Sequence, residues 1–168
     1  MNSKGPPPAY TASSQQPPAG LRVPCTTGHV DNKAALGQAP FVDLDGAQVY
    51  VCSALLEGGK SVHPAKYVRG QVMVSFGGSE FKHEGRFDVL PITQDMEWVA
   101  TSHGRVPKGR RPVEGGFEEN GSHLFHAMTL IGEVPVPGKT GSHLNGANFP
   151  WGGGEHVVSE HYSILCWK

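Results

Sequence analysis

The second half of this chain repeats the first. Phe76 and Trp151, each followed by glycines and a glutamate, stand 75 positions apart, as do Phe87 and Tyr162, Leu90 and Leu165, and the turn glycines Gly46 and Gly121. Gly77-Gly78-Ser79-Glu80 thus answers Gly152-Gly153-Gly154-Glu155. Between these anchors, Pro64-Ala65-Lys66 answers Pro137-Gly138-Lys139 at an offset of 73, so the first copy carries a two-residue insertion. An offset that holds over so many anchors marks a tandem repeat. A unit of this size cannot bury its apolar face alone, so the copies must pack together.

Each copy is made of apolar runs of strand length separated by turns, with no long amphipathic helix. The 23 glycines and 14 prolines suit many tight connections. Phe41-Val42 and Val49-Tyr50-Val51 flank Asp43-Leu44-Asp45-Gly46 and read as a hairpin. Further strands are predicted over 49–56, 71–76, 81–90 (weaker), 99–102, 123–131 and 157–167. The fold class is all-β, with two tandem pseudo-twofold-related repeats packed into one compact β-sandwich-like domain. The predicted boundaries are a disordered Pro-rich tail over 1–22, a divergent first repeat over 23–90, a linker over 91–97 and a second repeat over 98–168.

Composition excludes several functions. A net charge of −1 and a pI near 6.7 give no reason to expect nucleic acid or an anionic membrane as a partner. Lys108-Gly109-Arg110-Arg111 reads as a solvated loop. No run approaches the roughly 20 apolar residues of a membrane helix, and the N-terminus has no apolar signal core. The expected location is the cytosol, with vesicle association or release without a signal peptide as the route outwards. Three cysteines, Cys25, Cys52 and Cys166, make no CxxC pair. They fit reduced thiols in a reducing compartment, although a Cys25–Cys166 bridge is open on sequence alone. In the tail, Pro7, Pro8 and Tyr10 fit the PPxY pattern read by WW domains. Four residues are a short pattern, and incidental low complexity is the better account of it.

Enzyme-like patterns fail on spacing. Gly132 to Thr140 reads GEVPVPGKT, with five residues between the glycines instead of the four of a phosphate-binding loop and no following helix. His156 to His161 has one residue too many for an HxxEH zinc motif. No histidine pair recurs in both copies, so neither metal nor cofactor is predicted. With no catalytic constellation left, the chain is not expected to be an enzyme.

The candidates that recur in both copies are an acidic turn residue and the PxK lysine: Asp43 with Lys66, and Glu118 with Lys139. On residues alone they read as ordinary hairpin-turn carboxylates and solvated lysines. The stretches WVATSHGRVPKG, residues 118–125, Pro137-Gly138-Lys139 and WGGGEHVVSEHYSIL resemble the DM-nine repeat proteins, a family with tandem repeats. The resemblance covers residues 23–168 when the divergent copy is included. It implies a mannose-binding recognition lectin, related to repeats fused to pore-forming modules in natterin-like proteins, with Glu118 and Lys139 matching reported mannose contacts. It also implies mannose-containing glycans as partners, agglutination in host–microbe or host–parasite recognition, and compatibility with a homodimer. A carboxylate accepts from two sugar hydroxyls while an ammonium donates to an oxygen, which suits both pairs. The first copy departs from the pattern: Asp43 lacks the glycine pair that precedes Glu118, and Ala65 replaces the glycine of PGK. The alternative reading is a non-catalytic scaffold or trafficking adaptor that uses the PPxY tail.

Overall fold

The computed structural model describes residues 18–168, and Pro7, Pro8 and Tyr10 lie outside the described residues. The described chain is all-β, with short 3-10 turns and no α-helix. Its strands are β1 (Val23–Thr26), β2 (Phe41–Val42), β3 (Gln48–Leu56), β4 (Ser61–Val68), β5 (Gln71–Phe76), β6 (Ser79–His83), β7 (Arg86–Val89) and β8 (Met96–Thr101). They continue as β9 (Arg111–Pro112), β10 (Glu114–Phe117), β11 (His123–Ile131), β12 (Val134–Gly141), β13 (Gly146–Trp151), β14 (Gly154–Val158) and β15 (Tyr162–Trp167). All belong to one sheet, and every pairing is antiparallel.

The repeat is visible strand by strand: β3 to β7 in the first copy correspond to β11 to β15 in the second, and β1 to β8. The copies join head to head. Ser79 of β6 pairs with Gly154 of β14, and Phe117 of β10 pairs with Val62 of β4. These two junctions close β4-β5-β6-β14-β13-β12-β11-β10 into a barrel, with the other strands extending from it. The glycine pair Gly115-Gly116 allows the second junction. A Cβ on Gly116 would sit 1.9 Å from the Val62 carbonyl oxygen, and one on Gly115 would sit 2.8 Å from Pro64. Pro40 and Phe41 stand at the matching positions of the first copy, where β2 pairs only with β3.

Apolar residues form three clusters. Cys52, Val72, Val74 and Phe87 lie in the first, and their counterparts Ala127, Ala147, Phe149 and Tyr162 in another. The third gathers Val51, Leu90, Met96, Val113, Leu165 and Trp167 from both copies. Each repeat therefore has its own small core, and a seam of burial joins them.

Several boundaries shift from those expected. Residues 18–22, assigned to the tail, are packed: Ala19 is buried, the Pro18 carbonyl accepts from Glu114 N and Trp167 Nε1, and Arg22 donates to Ser53 Oγ, the Glu114 carbonyl and His126 Nε2. Buried polar partners hold this segment, which apolar content could not reveal. The linker is shorter than expected, because Met96 and Glu97 already pair with β15. Residues 81–90 and 157–167 each divide into two strands, at Glu84-Gly85 and at 159–161, where His161 has φ 63°. The Pro-rich stretch of 134–141 is a full strand. Pro135 and Pro137 have the same parity opposite β11, and β13 begins to pair only at Lys139, so their missing N–H groups fall on an unpaired edge. All three cysteines are buried and unbridged.

Candidate functional site

The acidic residues sit at the mouths of two matching hairpins. Asp43 N donates to the Ala47 carbonyl and Gly46 N to the Asp43 carbonyl; Glu118 and Gly121 repeat the arrangement with Ser122. Gly46 and Gly121 take φ values of 84° and 91°, a left-handed conformation that glycine adopts without steric cost.

The lysines are not solvated. Lys66 is 6 % exposed and Lys139 3 %. Each crosses to the other copy. Lys66 Nζ donates to the Pro150 carbonyl at 2.8 Å and lies 5.1 Å from the centre of the Trp151 ring. Lys139 Nζ donates to the Ser75 carbonyl at 2.7 Å and lies 5.4 Å from the Phe76 ring. Ser75 and Phe76 occupy the same repeat positions as Pro150 and Trp151. Burial lowers the pKa of both ammonium groups, opposed by Glu80 and then Asp43 at Lys66, and by Glu118 and then Glu155 at Lys139.

Two further carboxylates lock the copies together. Glu80 Oε1 accepts from Gly153 N at 2.8 Å, and Glu155 Oε1 accepts from Gly78 N at 3.0 Å. The glycine clusters therefore form tight hairpin tips whose amides clasp the opposite repeat. Glu80 Oε2 also stands 3.7 Å from Lys66 Nζ.

Around Lys66 this produces an open cleft of about 490 Å³ lined by Asp43, Asp45, Arg69, Gln71, Glu80 and Trp151, among others. Arg69 bridges the acidic turn, donating to Asp43 Oδ2 at 3.1 Å and to Asp45 at 3.0 Å. Around Lys139 the same plan is altered by histidines. Lys139 Nζ lies 3.0 Å from His63 Nδ1, His63 Nε2 stands 3.6 Å from Glu118 Oε1, and His143 Nε2 lies 2.8 Å from Glu118 Oε2. Burial, then the neighbouring Lys139 charge, lowers the pKa of His63 to about 4. Trp98 and Trp167 pack in the seam between the copies, so Trp151 is the tryptophan that reaches a candidate site.

The structure thus places Asp43 with Lys66 and Glu118 with Lys139, as the repeat pattern paired them. The aromatic rings, Glu80, Glu155, Arg69 and His63 complete the clusters. The rings and the two glutamates recur at the repeat offset and so carried a signal; His63 carried none, because Val136 stands at its repeat position.

The profile of the DM9 repeat matches residues 43–158, more than half of the sequence. The chain belongs to the DM9 repeat family. Among solved structures, the fold is similar to the crystal structure of the nematode sperm cell motility protein MFP2B, with a TM-score of 0.56 and 15 % identity over 87 % of this chain. At that identity the likeness concerns the fold alone, and this chain spans only 44 % of MFP2B. No curated protein sequence matches it. Membership of the DM9 family fits a lectin-like, carbohydrate-binding fold.

Proposed function

We propose that this DM9 protein is a non-enzymatic lectin for mannose-type glycans with two quasi-equivalent sites, one at Asp43 and Lys66 and one at Glu118 and Lys139. The observation that carries this reading is the doubled composite cluster: a turn carboxylate, a lysine, a glutamate and an aromatic ring, assembled twice from both repeats. Sugar hydroxyls donate and accept together, and their C–H faces rest on aromatic rings, so carboxylate, cation and ring are the groups such a ligand requires. The buried lysines contribute mainly orientation, holding strand, ring and carboxylate in register. Two weak sites on one chain gain from bivalency on a glycan-coated surface, which supports a role as an agglutinin in pattern recognition and innate immunity.

The test is calorimetric titration with methyl α-mannoside and methyl β-galactoside, with and without chelator. Saturable mannoside binding near two sites per chain is expected, falling to one site in Asp43→Ala and in Glu118→Ala. No heat with either sugar, or both variants still binding two, would overturn the assignment.

A further inference from the structure

We infer that His63 is a ligand-binding residue of the second site, where its Nε2–H and the free oxygen of Glu118 together hold one hydroxyl group of a sugar, and that Lys139 acts through His63 as a positioning residue. This rests on the lectin reading and deepens it.

The tautomer of His63 follows from its neighbours. An ammonium has only donors, so Lys139 Nζ, 3.0 Å from Nδ1, makes that nitrogen an acceptor. A neutral imidazole then carries its proton on Nε2. That proton has no partner: Nε2 makes no hydrogen bond among the described residues, although the side chain is essentially fully buried. A buried donor left unpaired is costly, and each one calls for an explanation. Glu118 Oε1 stands 3.6 Å away, too far to accept from Nε2 directly, while Oε2 is engaged by His143.

The gap lies at the wall of a cleft of about 730 Å³, lined by His63, Glu118, Phe76, Phe81 and Arg86 among others. Lys139 is absent from that lining. A group bridging the gap must accept from Nε2–H and donate to Glu118, and a hydroxyl does both. A carboxylate or a fully ionised phosphate lacks the donor, and an ammonium lacks the acceptor. Phe76 lies edge-on to His63 with ring centres 5.6 Å apart and is 49 % exposed, so it is the side chain free to turn and admit the group. Phe76 and Phe81, 6.5 Å apart, offer the apolar surface on which the C–H face of a pyranose rests. The first cleft has no such device, because its equivalent of His63 is Val136. The two sites therefore differ chemically despite their common plan.

Two substitutions separate the roles of the ring. His63→Asn keeps an acceptor near the Nδ1 position for Lys139 and removes the Nε2 donor; His63→Gln places an amide donor near the Nε2 position. Methyl α-mannoside titration of the full chain should give two sites in wild type, one of them weakened by roughly tenfold or more in His63→Asn, and recovery in His63→Gln. Both sites unchanged in His63→Asn would overturn this inference and leave the lectin reading intact, whereas no binding by wild type would overturn both. Should His63→Asn fail to fold, the wild-type imidazole decides. Its 15N resonances should report an Nε2–H tautomer and move on mannoside addition, and the opposite tautomer or a static Nε2 signal would refute the assignment.

Discussion

Gly138→Ala tests why the two copies diverge in the lysine-bearing strand. A Cβ at 138 would lie 2.3 Å from the Asn148 carbonyl oxygen, 2.6 Å from Phe149 Cδ1 and 3.1 Å from Phe149 Cα. Contacts of this kind settle at about 3.5 Å, so β12 and β13 must separate by roughly an ångström. Two of the three obstacles are backbone atoms and cannot rotate away. Overpacking of this sort costs about 1–3 kcal/mol, here at the upper end. Alanine returns up to about 1 kcal/mol by restricting the unfolded chain. The net loss is then about 2 kcal/mol, or about 4–8 °C in Tm for a chain of this size. The first copy already holds the alternative solution, with the buried Ala65 methyl accommodated where Val74 replaces Phe149. Phe149→Val alone should lose about 2–3 kcal/mol as a large-to-small core change. The double variant should lose less than the sum of the two by at least about 1 kcal/mol, because the smaller side chain removes one of the clashes. Urea unfolding followed by tryptophan fluorescence measures all four proteins. A Gly138→Ala cost below about 0.5 kcal/mol, or strict additivity in the double variant, would refute the steric account.

Acid should destabilise the fold. His63, with a folded pKa of about 4, and His126, held well below its usual value first by burial and then by Arg22, bind protons more readily when unfolded. Stability should therefore be full above pH 6.5 and fall as pH drops towards 4, with His63 alone contributing on the order of 3 kcal/mol; denaturant midpoints independent of pH across that window would contradict this. Lys139→Met should lose second-site mannoside binding and also lower stability, because Ser75 and His63 lose their shared donor; an unchanged melting temperature would show that the buried ammonium holds nothing in place. Cys25, Cys52 and Cys166 should resist alkylation by iodoacetamide in the native protein and all react in denaturant, since burial is the leading cause raising each thiol pKa; fast modification of any one without unfolding would show that its strand opens locally.

Much of the candidate site was legible because correspondence survives in sequence. The repeat that matches Lys66 to Lys139 at an offset of 73 also matches Phe76 to Trp151 and Glu80 to Glu155 at 75, and these six residues converge on the two clusters. The offset tells which residues are alike, however, and not which ones touch. That Lys66 meets Pro150 and Trp151 of the other copy depends on strands 84 residues apart along the chain. The features that break the repeat were harder to read. His63 is an isolated histidine in sequence, and the packing role of Gly115-Gly116 appears only once Val62 lies against it. The proline-bearing strand β12 was obscured because local propensity argues against strand, while the free edge that makes proline harmless is a tertiary property.

The reciprocal clasp between the hairpin tips has a consequence for the chain's divisibility. Glu80 holds an amide of the second copy and Glu155 an amide of the first, so neither cluster can be completed by one repeat in isolation. A chain nicked between Leu90 and Met96 would present two fragments whose unmet contacts are each other. Such fragments should find one another in solution and rebuild the barrel, as the subunits of an obligate dimer do. The intact chain is then a dimer whose partners are tethered. The tether lets them differ, since a partner joined by its own backbone is never lost to exchange with an identical copy. His63 opposite Val136, and Gly138 opposite Ala65, are differences of the kind that such freedom allows.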